Sequence, residues 1–224
     1  ATGAGNDGID LSLDNGVEGT RAEFNGVTAQ SNEENGLKVL VTNGAGLVDF
    51  VAANLNLSNN ATSGVGFDGI DVQVHGLASS AVFNLTDLTV NNSGGRGIDL
   101  DVFDNGSLTF NVDGGSVNNS GLGGLDLDVG SNDQFGLPVV LSPGATFNAS
   151  FKDMTVNNNG QSLVFARDGV NMNVRGAGSV ATVTFDHVSA NNNDDDGFDI
   201  FTGLGAATTV FLNNGSTGNN NGGP

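Results

Sequence analysis

Apolar and polar residues alternate in short runs along the chain. Residues 98–102 read Ile-Asp-Leu-Asp-Val, and residues 108–112 read Leu-Thr-Phe-Asn-Val. A period of two is typical of strands that bury one face. Glycine and Asn-Gly pairs interrupt nearly every window of a dozen residues, and a glycine costs a helix about 1 kcal/mol. The pattern therefore predicts an all-β fold with almost no helix.

One tetrapeptide recurs along the sequence: glycine, an apolar residue, usually Asp or Asn, and a second apolar residue. Its glycines are Gly8, Gly36, Gly69, Gly97, Gly124, Gly169 and Gly197. The spacings between them are 28, 33, 28, 27, 45 and 28 residues, so a unit of about 28 residues is sometimes lengthened. A hairpin sandwich has no reason to repeat one motif at one spacing. Stacked coils do, because each must match its neighbours in register to share a core.

Within the unit from Gly97 to Gly124 the pattern predicts three strands, at residues 98–102, 108–112 and 116–118, separated by turns such as Asp113-Gly114-Gly115. The segments GIDLDV, GSLTFNV and GSVNNSG of this unit resemble the repeats of the right-handed parallel β-helix superfamily, the pectate-lyase-like proteins. The resemblance covers essentially the whole chain. It specifies no activity, since this superfamily includes lyases, hydrolases, phage tailspikes and surface adhesins.

The expected fold is a right-handed single-stranded parallel β-helix, a solenoid of about eight coils with about 28 residues per coil. It forms one domain over residues 1–224, with longer turn insertions near 130–146 and 160–168. Ile98, Leu100 and Val102 should point into the core. Phe110, Phe147, Phe151 and Phe185 should fill the core of the second strand. The resemblance further implies asparagine ladders, built from the pairs Asn59-Asn60, Asn91-Asn92, Asn118-Asn119, Asn157-Asn158 and Asn191-Asn192.

The polar positions of the first strand should face outward and stack from coil to coil. Asp99, Asp101, Asp126 and Asp128 then meet on one face of two neighbouring coils. Like charges about 5 Å apart repel by roughly 3 kcal/mol at a surface-like dielectric. Ca²⁺ accepts carboxylates in loose oxygen geometry, so these four residues are the predicted metal ligands. The alternative is a solvated acidic face. Three further aspartates at residues 194–196 predict either a second cation site or mere solubility.

An enzymatic function is the alternative that the resemblance leaves open. Pectate-lyase-like enzymes combine carboxylates that hold calcium with an arginine or lysine base, and the related hydrolases cluster aspartates near a histidine. The matching residues here are Asp71, Asp99 and Asp126 with Arg96, or His75. However, any solenoid with a regular Asp position makes such stacks, so we expect no catalytic and no cofactor-binding residues. The alternative is a polysaccharide lyase or glycoside hydrolase acting on an acidic polysaccharide.

Charge excludes some partners. The chain has 6 Lys+Arg against 25 Asp+Glu and a formal net charge of -19, so it lacks the basic patch that nucleic acid requires. No apolar run approaches the roughly 20 residues that span a bilayer, so membrane insertion is not expected. The absence of cysteine excludes disulfides and thiolate metal sites.

The two ends of the sequence fit one another in register. Joining residues 219–224 to residues 1–8 gives a connection of six plus eight, or 14, residues, close to the 13 residues from Asn157 to Gly169. We therefore expect a segment of a longer β-helix or a subunit that stacks head to tail, a contact that generates open filaments. The predicted function is a non-enzymatic extracellular or cell-surface structural module, such as a fibre, stalk or adhesin segment, stabilised by calcium.

Overall fold

Strands dominate the computed structural model, which describes residues 5–16, 19–62, 66–132, 140–141, 144–160 and 168–222. The described residues contain no helix, so the all-β prediction is confirmed for them. In chain order the strands are β1 (Ile9–Leu13), β2 (Thr20–Asn25), β3 (Leu37–Val41), β4 (Gly46–Ala53), β5 (Ile70–His75), β6 (Ser80–Asn91), β7 (Ile98–Phe103), β8 (Ser107–Asn118), β9 (Leu125–Val129), β10 (Ser131–Asn132), β11 (Val140–Leu141), β12 (Thr146–Thr155), β13 (Val170–Val174), β14 (Val180–Asp186), β15 (Phe198–Thr202) and β16 (Ala207–Asn213).

The long strands form two parallel sheets between which the chain alternates. The first sheet has the order β1-β3-β5-β7-β9-β13-β15, and the second has the order β2-β4-β6-β8-β12-β14-β16. Each return to a sheet therefore adds a strand beside the previous one. The residues that follow the tetrapeptide glycines are register partners throughout: Ile9, Leu37, Ile70, Ile98, Leu125, Val170 and Phe198. The match in register between the repeats, which a shared core requires, is confirmed.

Two details of the sequence prediction are corrected. In the described part each sheet has seven strands, whereas about eight coils were predicted. Two of the spacings between repeats, 33 and 45 residues, exceed 28, so the chain holds fewer repeats than its length divided by 28. The second and third predicted strands of the unit are one strand, β8, and the predicted turn at residues 113–115 is a bend inside it. The bend falls at Gly114, which adopts φ +82°. Asp87 of β6 and Asp153 of β12, which lie beside Gly114 on the two adjacent strands, also have left-handed φ values. A left-handed residue turns the strand without ending its pairing.

The predicted insertions lie mostly outside the described residues. Of residues 130–146 the structure describes an antiparallel pair, Ser131–Asn132 with Val140–Leu141, and the ends of the segment. Of residues 160–168 it describes only the first and the last.

The core is a stack of like side chains. Ile98, Leu100 and Val102 are fully buried, as predicted, and so are all four phenylalanines assigned to the second strand. The rings of Phe24, Phe50, Phe83, Phe110, Phe151 and Phe185 lie in one column, with centroids 4.8–6.1 Å apart between neighbours. Offset and tilted contacts at these distances add to the stabilisation that burial of the rings provides.

Asparagine ladders, as predicted, link successive repeat units, each of which runs from one tetrapeptide glycine to the next and is called a coil below. The inner ladder position, which is buried except at its last member, holds Asn32, Asn60, Ser93, Ser120, Asn159, Asn193 and Asn221. Its hydrogen bonds join Asn32 to Asn60 and run from Ser120 through Asn159 and Asn193 to Asn221, whereas the hydroxyls of Ser93 and Ser120 have no hydrogen-bond partner. Asn159 shows the bonding: its backbone N–H donates to Oδ1 of Asn193 at 2.9 Å, and its own Oδ1 accepts the N–H of Ser120 at 2.9 Å. The outer ladder, two residues earlier in each coil, consists of Ser58, Asn91, Asn118, Asn157, Asn191 and Asn219. Because a buried amide needs a partner, the asparagines of the inner ladder fix the register of their coils.

The tetrapeptide glycine is required because the inner ladder packs directly against it. A Cβ built on Gly97 would overlap the side chain of Val117 and lie 2.7 Å from the carbonyl oxygen of Gly124. The same overlap with the ladder or with the next coil occurs at the other six glycines of the motif. Since a backbone carbonyl cannot move aside cheaply, only glycine allows two coils to approach this closely.

We predict that Gly97→Ala lowers the free energy of unfolding by about 2 kcal/mol, because the added methyl group forces coils apart as in an overpacked core. Gly66→Ala is the matched control, because a Cβ at Gly66 meets nothing within 4 Å and its φ is not left-handed. Urea unfolding followed by circular dichroism measures both variants. Equal stabilities of the two variants would contradict the packing role of the glycine.

Candidate functional site

The outer face of the first sheet carries two rows of polar side chains. Strand pairing puts Asp10, Lys38, Asp71, Asp99, Asp126, Asn171 and Asp199 in one row. The second row, two residues further along each strand, is Ser12, Leu40, Gln73, Asp101, Asp128, Asn173 and Phe201. The four predicted metal ligands thus lie on neighbouring strands, with Asp99 opposite Asp126 and Asp101 opposite Asp128.

The predicted solvated acidic face is wrong at these four positions. Asp99 and Asp126 are 6% and 5% exposed, and Asp101 and Asp128 are each 1% exposed. Gly130 directly follows β9, and its N–H continues the pairing of β9 with β7 by donating to the carbonyl of Val102 at 2.7 Å. Gly130 adopts φ +76°, and a Cβ there would overlap the carbonyl oxygen of Arg175. The next strand, β10, lies against β7 and β9. Period-two alternation distinguishes the two faces of a strand but does not show whether the outer face is exposed.

Arg96 lies among these carboxylates and is itself only 6% exposed. Its Nη1 donates to Oδ2 of Asp99 at 3.0 Å, and its Nε donates to Oδ2 of Asp126 on the next strand. Burial alone would lower the pKa of the guanidinium, but Asp99, Asp126 and Asp68 outweigh burial and raise it. Arg96 therefore stays charged and neutralises part of the cluster.

A third ladder explains where Arg96 lies. At Asn35, Asp68, Arg96 and Asp196, the residue that precedes the tetrapeptide glycine donates its backbone N–H to a side-chain oxygen of the coil before it. Asp68 donates to Oδ1 of Asn35 at 2.6 Å, and Arg96 donates to Oδ1 of Asp68 at 2.6 Å. In the next coil this position is Gly123, which has no side chain. The Arg96 side chain is therefore free to extend along the stack to Asp126 rather than to continue the ladder.

Amide side chains continue the network beyond Arg96. Nδ2 of Asn171 donates to Oδ1 of Asp126 at 2.8 Å, and Nδ2 of Asn173 donates to Oδ1 of Asn171 at 3.2 Å. Nη2 of Arg175 then donates to Oδ1 of Asn173 at 3.1 Å, and its guanidinium lies 5.2 Å from the centroid of the Phe201 ring. The result is a continuous chain of hydrogen bonds from Arg96 to Arg175.

One guanidinium does not neutralise all the buried carboxylates. Burial, reinforced by the charge of Asp71, raises the pKa of Asp101 to about 8. Burial raises the pKa of Asp68 to about 7 although the charge of Arg96 opposes it. Burial likewise raises the pKa of Asp99 well above its usual range against the opposing effect of Arg96. A carboxyl group without enough positive charge nearby takes up a proton instead of remaining ionised.

Oδ1 of Asp99 and Oδ1 of Asp101 are buried and have no hydrogen-bond partner. Such atoms are compatible with a bound cation or with a proton on the carboxyl group. The four predicted ligands do not form a tight metal cage. Among the described residues, the group of three acidic side chains whose oxygens all lie within 4.8 Å of one another is Asp168, Asp195 and Asp196.

That second group contains a residue that the sequence prediction missed. Residues 194–196 were a candidate cation site, but Asp168 was not included. Its Oδ1 accepts the N–H of Asp196 at 2.9 Å, and burial raises its pKa to about 6. The sequence carried a signal for it, because Asp168 and Asp196 each directly precede a tetrapeptide glycine and are 28 positions apart. Asp68 also directly precedes a tetrapeptide glycine, and it was missed because the residues before these glycines were not compared with one another.

The structure separates the catalytic candidates. Arg96, Asp99 and Asp126 are in direct contact but buried, so a polysaccharide cannot reach them in this arrangement. His75 stacks on Phe103, with ring centroids 4.7 Å apart and an interplanar angle of 6°.

A shallow depression lies on the second sheet, away from these candidates, with a volume of about 310 Å³. It is lined by Asn84, Leu85, Thr86, Asn111, Val112, Asp113, Ser150 and Lys152.

Comparisons with protein-family models, with curated proteins and with solved structures found no match. Within the described residues, no helix could cross a membrane.

The raised pKa values predict that the protein loses stability as the pH rises. A folded-state pKa above the unfolded value of 3.8 means that folding takes up protons, so the contribution is full below about pH 4 and is lost as the pH approaches about 8. We expect the melting temperature to fall over this range. In Asp101→Asn, which cannot ionise, the fall should be smaller.

Asp104→Asn is the control for this slope, since Asp104 is an exposed turn residue in the same coil. Thermal unfolding is followed at several pH values for the three proteins. A melting temperature that rises from about pH 4 to about pH 8, or an unchanged slope in Asp101→Asn, would show that the cluster carries no buried protons.

Proposed function

We propose that this chain is a right-handed single-stranded parallel β-helix that serves as a non-enzymatic structural module of an extracellular or cell-surface fibre, stalk or adhesin. The observation that carries the proposal is that the polar side chains at the coil junctions bond to neighbouring coils. The inner ladder, the outer ladder and the ladder before the glycines all join one coil to the next, as in Asn159 to Asn193, Asn157 to Asn118, and Arg96 to Asp68.

The alternation between two parallel sheets supports the β-helical form of the proposal. Parallel strands need crossover connections, and here each crossover passes through a strand of the other sheet rather than a helix. A right-handed path is the rule for crossovers between parallel strands. Such a stack is stabilised by contacts between adjacent coils, so it can lengthen without changing its cross-section.

Calcium is the second part of the proposal. Asp101 and Asp128 are opposite one another and buried, and the ion pairs of Arg96 go to Asp99 and Asp126. Oδ1 of Asp101 has no hydrogen-bond partner. A calcium ion between Asp101 and Asp128 would supply the positive charge that this end of the cluster needs, in place of a proton.

An enzymatic function on acidic polysaccharide predicts turnover, whereas a structural module predicts none. We expect no release of reducing ends or unsaturated sugars from polygalacturonate, with or without calcium, because the Arg96 cluster is closed to the substrate. An active pectate lyase is the positive control. Turnover by the wild-type protein that disappears in Asp99→Asn would favour the polysaccharide-degrading alternative.

Calcium should raise the melting temperature. At about 100 times its dissociation constant a ligand stabilises the folded state by about 2.7 kcal/mol, which corresponds to roughly 5–10 °C for a chain of this size. The measurement is differential scanning calorimetry at about pH 8, with calcium and with EDTA. Asp101→Asn should lose the shift, whereas Asp195→Asn, in the Asp168 group, should keep it.

The reverse result for the two variants would move the ion to the Asp168 group. The absence of any shift in the wild-type protein would remove calcium from the proposal and leave protons as the compensating charge.

A further inference from the structure

Both sheets have open edges in the described part of the chain. β15 and β16 pair on one side only, and so do β1 and β2 at the opposite end of the stack. The core columns are uncovered there. Leu212 is 55% exposed although its register partner Phe185 is fully buried, and Ile200 is 37% exposed although its partner Met172 is fully buried. Open edges with exposed apolar residues are templates for further strand pairing.

The ladders give each edge a polarity. In the outer ladder the N–H of the later coil donates to the side chain of the earlier one: Asn191 donates to Asn157, and Asn219 donates to Asn191. The ladder before the glycines runs in the same direction, with Asp196 donating to Asp168. The last coil therefore presents the side-chain oxygens of Asn219 and Asp196 as acceptors for the next coil in the stack.

The first coil presents a backbone N–H donor where the last coil presents a side-chain acceptor. Asp7 is the first described member of the ladder before the glycines, since its Oδ1 accepts the N–H of Asn35, so the N–H group of Asp7 occupies the donor position. Ile9 and Leu11 of β1 are only partly buried and belong to the same columns as Phe198 and Ile200. The two ends of one molecule are therefore complementary, whereas two copies of the same end are not.

We propose that the β15–β16 edge binds the β1–β2 edge of a second copy of this chain, continuing both sheets and the ladders in register. This inference rests on the proposed structural function and names its partner. The contact is heterologous, so it generates open-ended assemblies rather than closed dimers. It places Asp199 next to Asp10 and Asp196 next to Asp7, so acidic groups of the two copies repel one another.

The repulsion makes association depend on salt. The screening length is about 30 Å at 0.01 M ionic strength and about 3 Å at 1 M. We expect sedimentation at the higher ionic strength to show a weight-average mass that increases with protein concentration without a plateau. Association should be at least about tenfold weaker at the lower ionic strength. A wild-type protein that stays monomeric at both ionic strengths overturns the proposal.

Two variants, each blocked at one end, test the polarity of the contact. Leu212→Lys places a charge on the β16 edge, and Leu11→Lys places one on the β1 edge. Each variant alone should be monomeric, and an equimolar mixture should give a one-to-one dimer and nothing larger, because one intact edge of each kind remains. Asn148→Lys is the control, since Asn148 is exposed in the middle of the second sheet and should leave assembly unchanged.

The pair Ile200→Lys and Ala22→Lys repeats the experiment at different positions if either first variant fails to fold. Assembly by a single blocked variant, or a mixture that gives no dimer, overturns the proposal. Failure here is distinct from failure of the proposed function, because a monomeric β-helix would still lack turnover on polygalacturonate.

Discussion

The close approach of the tetrapeptide glycine to the inner ladder is the contact on which the rest of the structure depends. Each glycine leaves just enough space for an Asn or Ser side chain of its own coil and for the next coil's carbonyl, as Gly97 does for Ser120 and Gly124. The ladder bonds form only at that separation, because a hydrogen bond weakens steeply beyond its normal length. Strand register follows, and register in turn places every apolar residue in its column.

The same regularity creates the acidic cluster. A polar position that repeats in every coil stacks like on like, which satisfies amides but sets carboxylates against one another. The chain departs from the repeat where the carboxylates accumulate. Arg96 replaces an Asx residue in the ladder, Gly123 leaves room for its side chain, and Asn171 replaces Asp in the next coil of the row. Each departure reduces negative charge or adds a donor beside Asp99 and Asp126.

The alternation and the repeat in the sequence were enough to predict the strands, the parallel register and the core columns, whereas the asparagine ladders were implied by the resemblance. The repeat also placed Asp99 opposite Asp126 correctly. It could not predict that these residues are buried, because alternation distinguishes the two faces of a strand but does not show how exposed each face is. It missed Asp68 and Asp168 because attention fell on the residues after the glycines, although those before them repeat equally well. The bend at residues 113–115 looked like a turn because Asp-Gly-Gly is typical of turns.

The position of the cluster within the stack links its chemistry to the proposed structural role. Asp68, Arg96, Asp99 and Asp126 belong to the middle coils, and ion pairs and hydrogen bonds tie them together across strands β5, β7 and β9. In a stack held by contacts between neighbouring coils, the least stable interface between two coils opens first. Breaking a buried ion pair leaves an uncompensated charge, which costs about 3–5 kcal/mol. Separating the coils at Arg96 therefore carries this cost in addition to the loss of strand pairing and core packing there, unless a proton or a cation compensates the exposed charge.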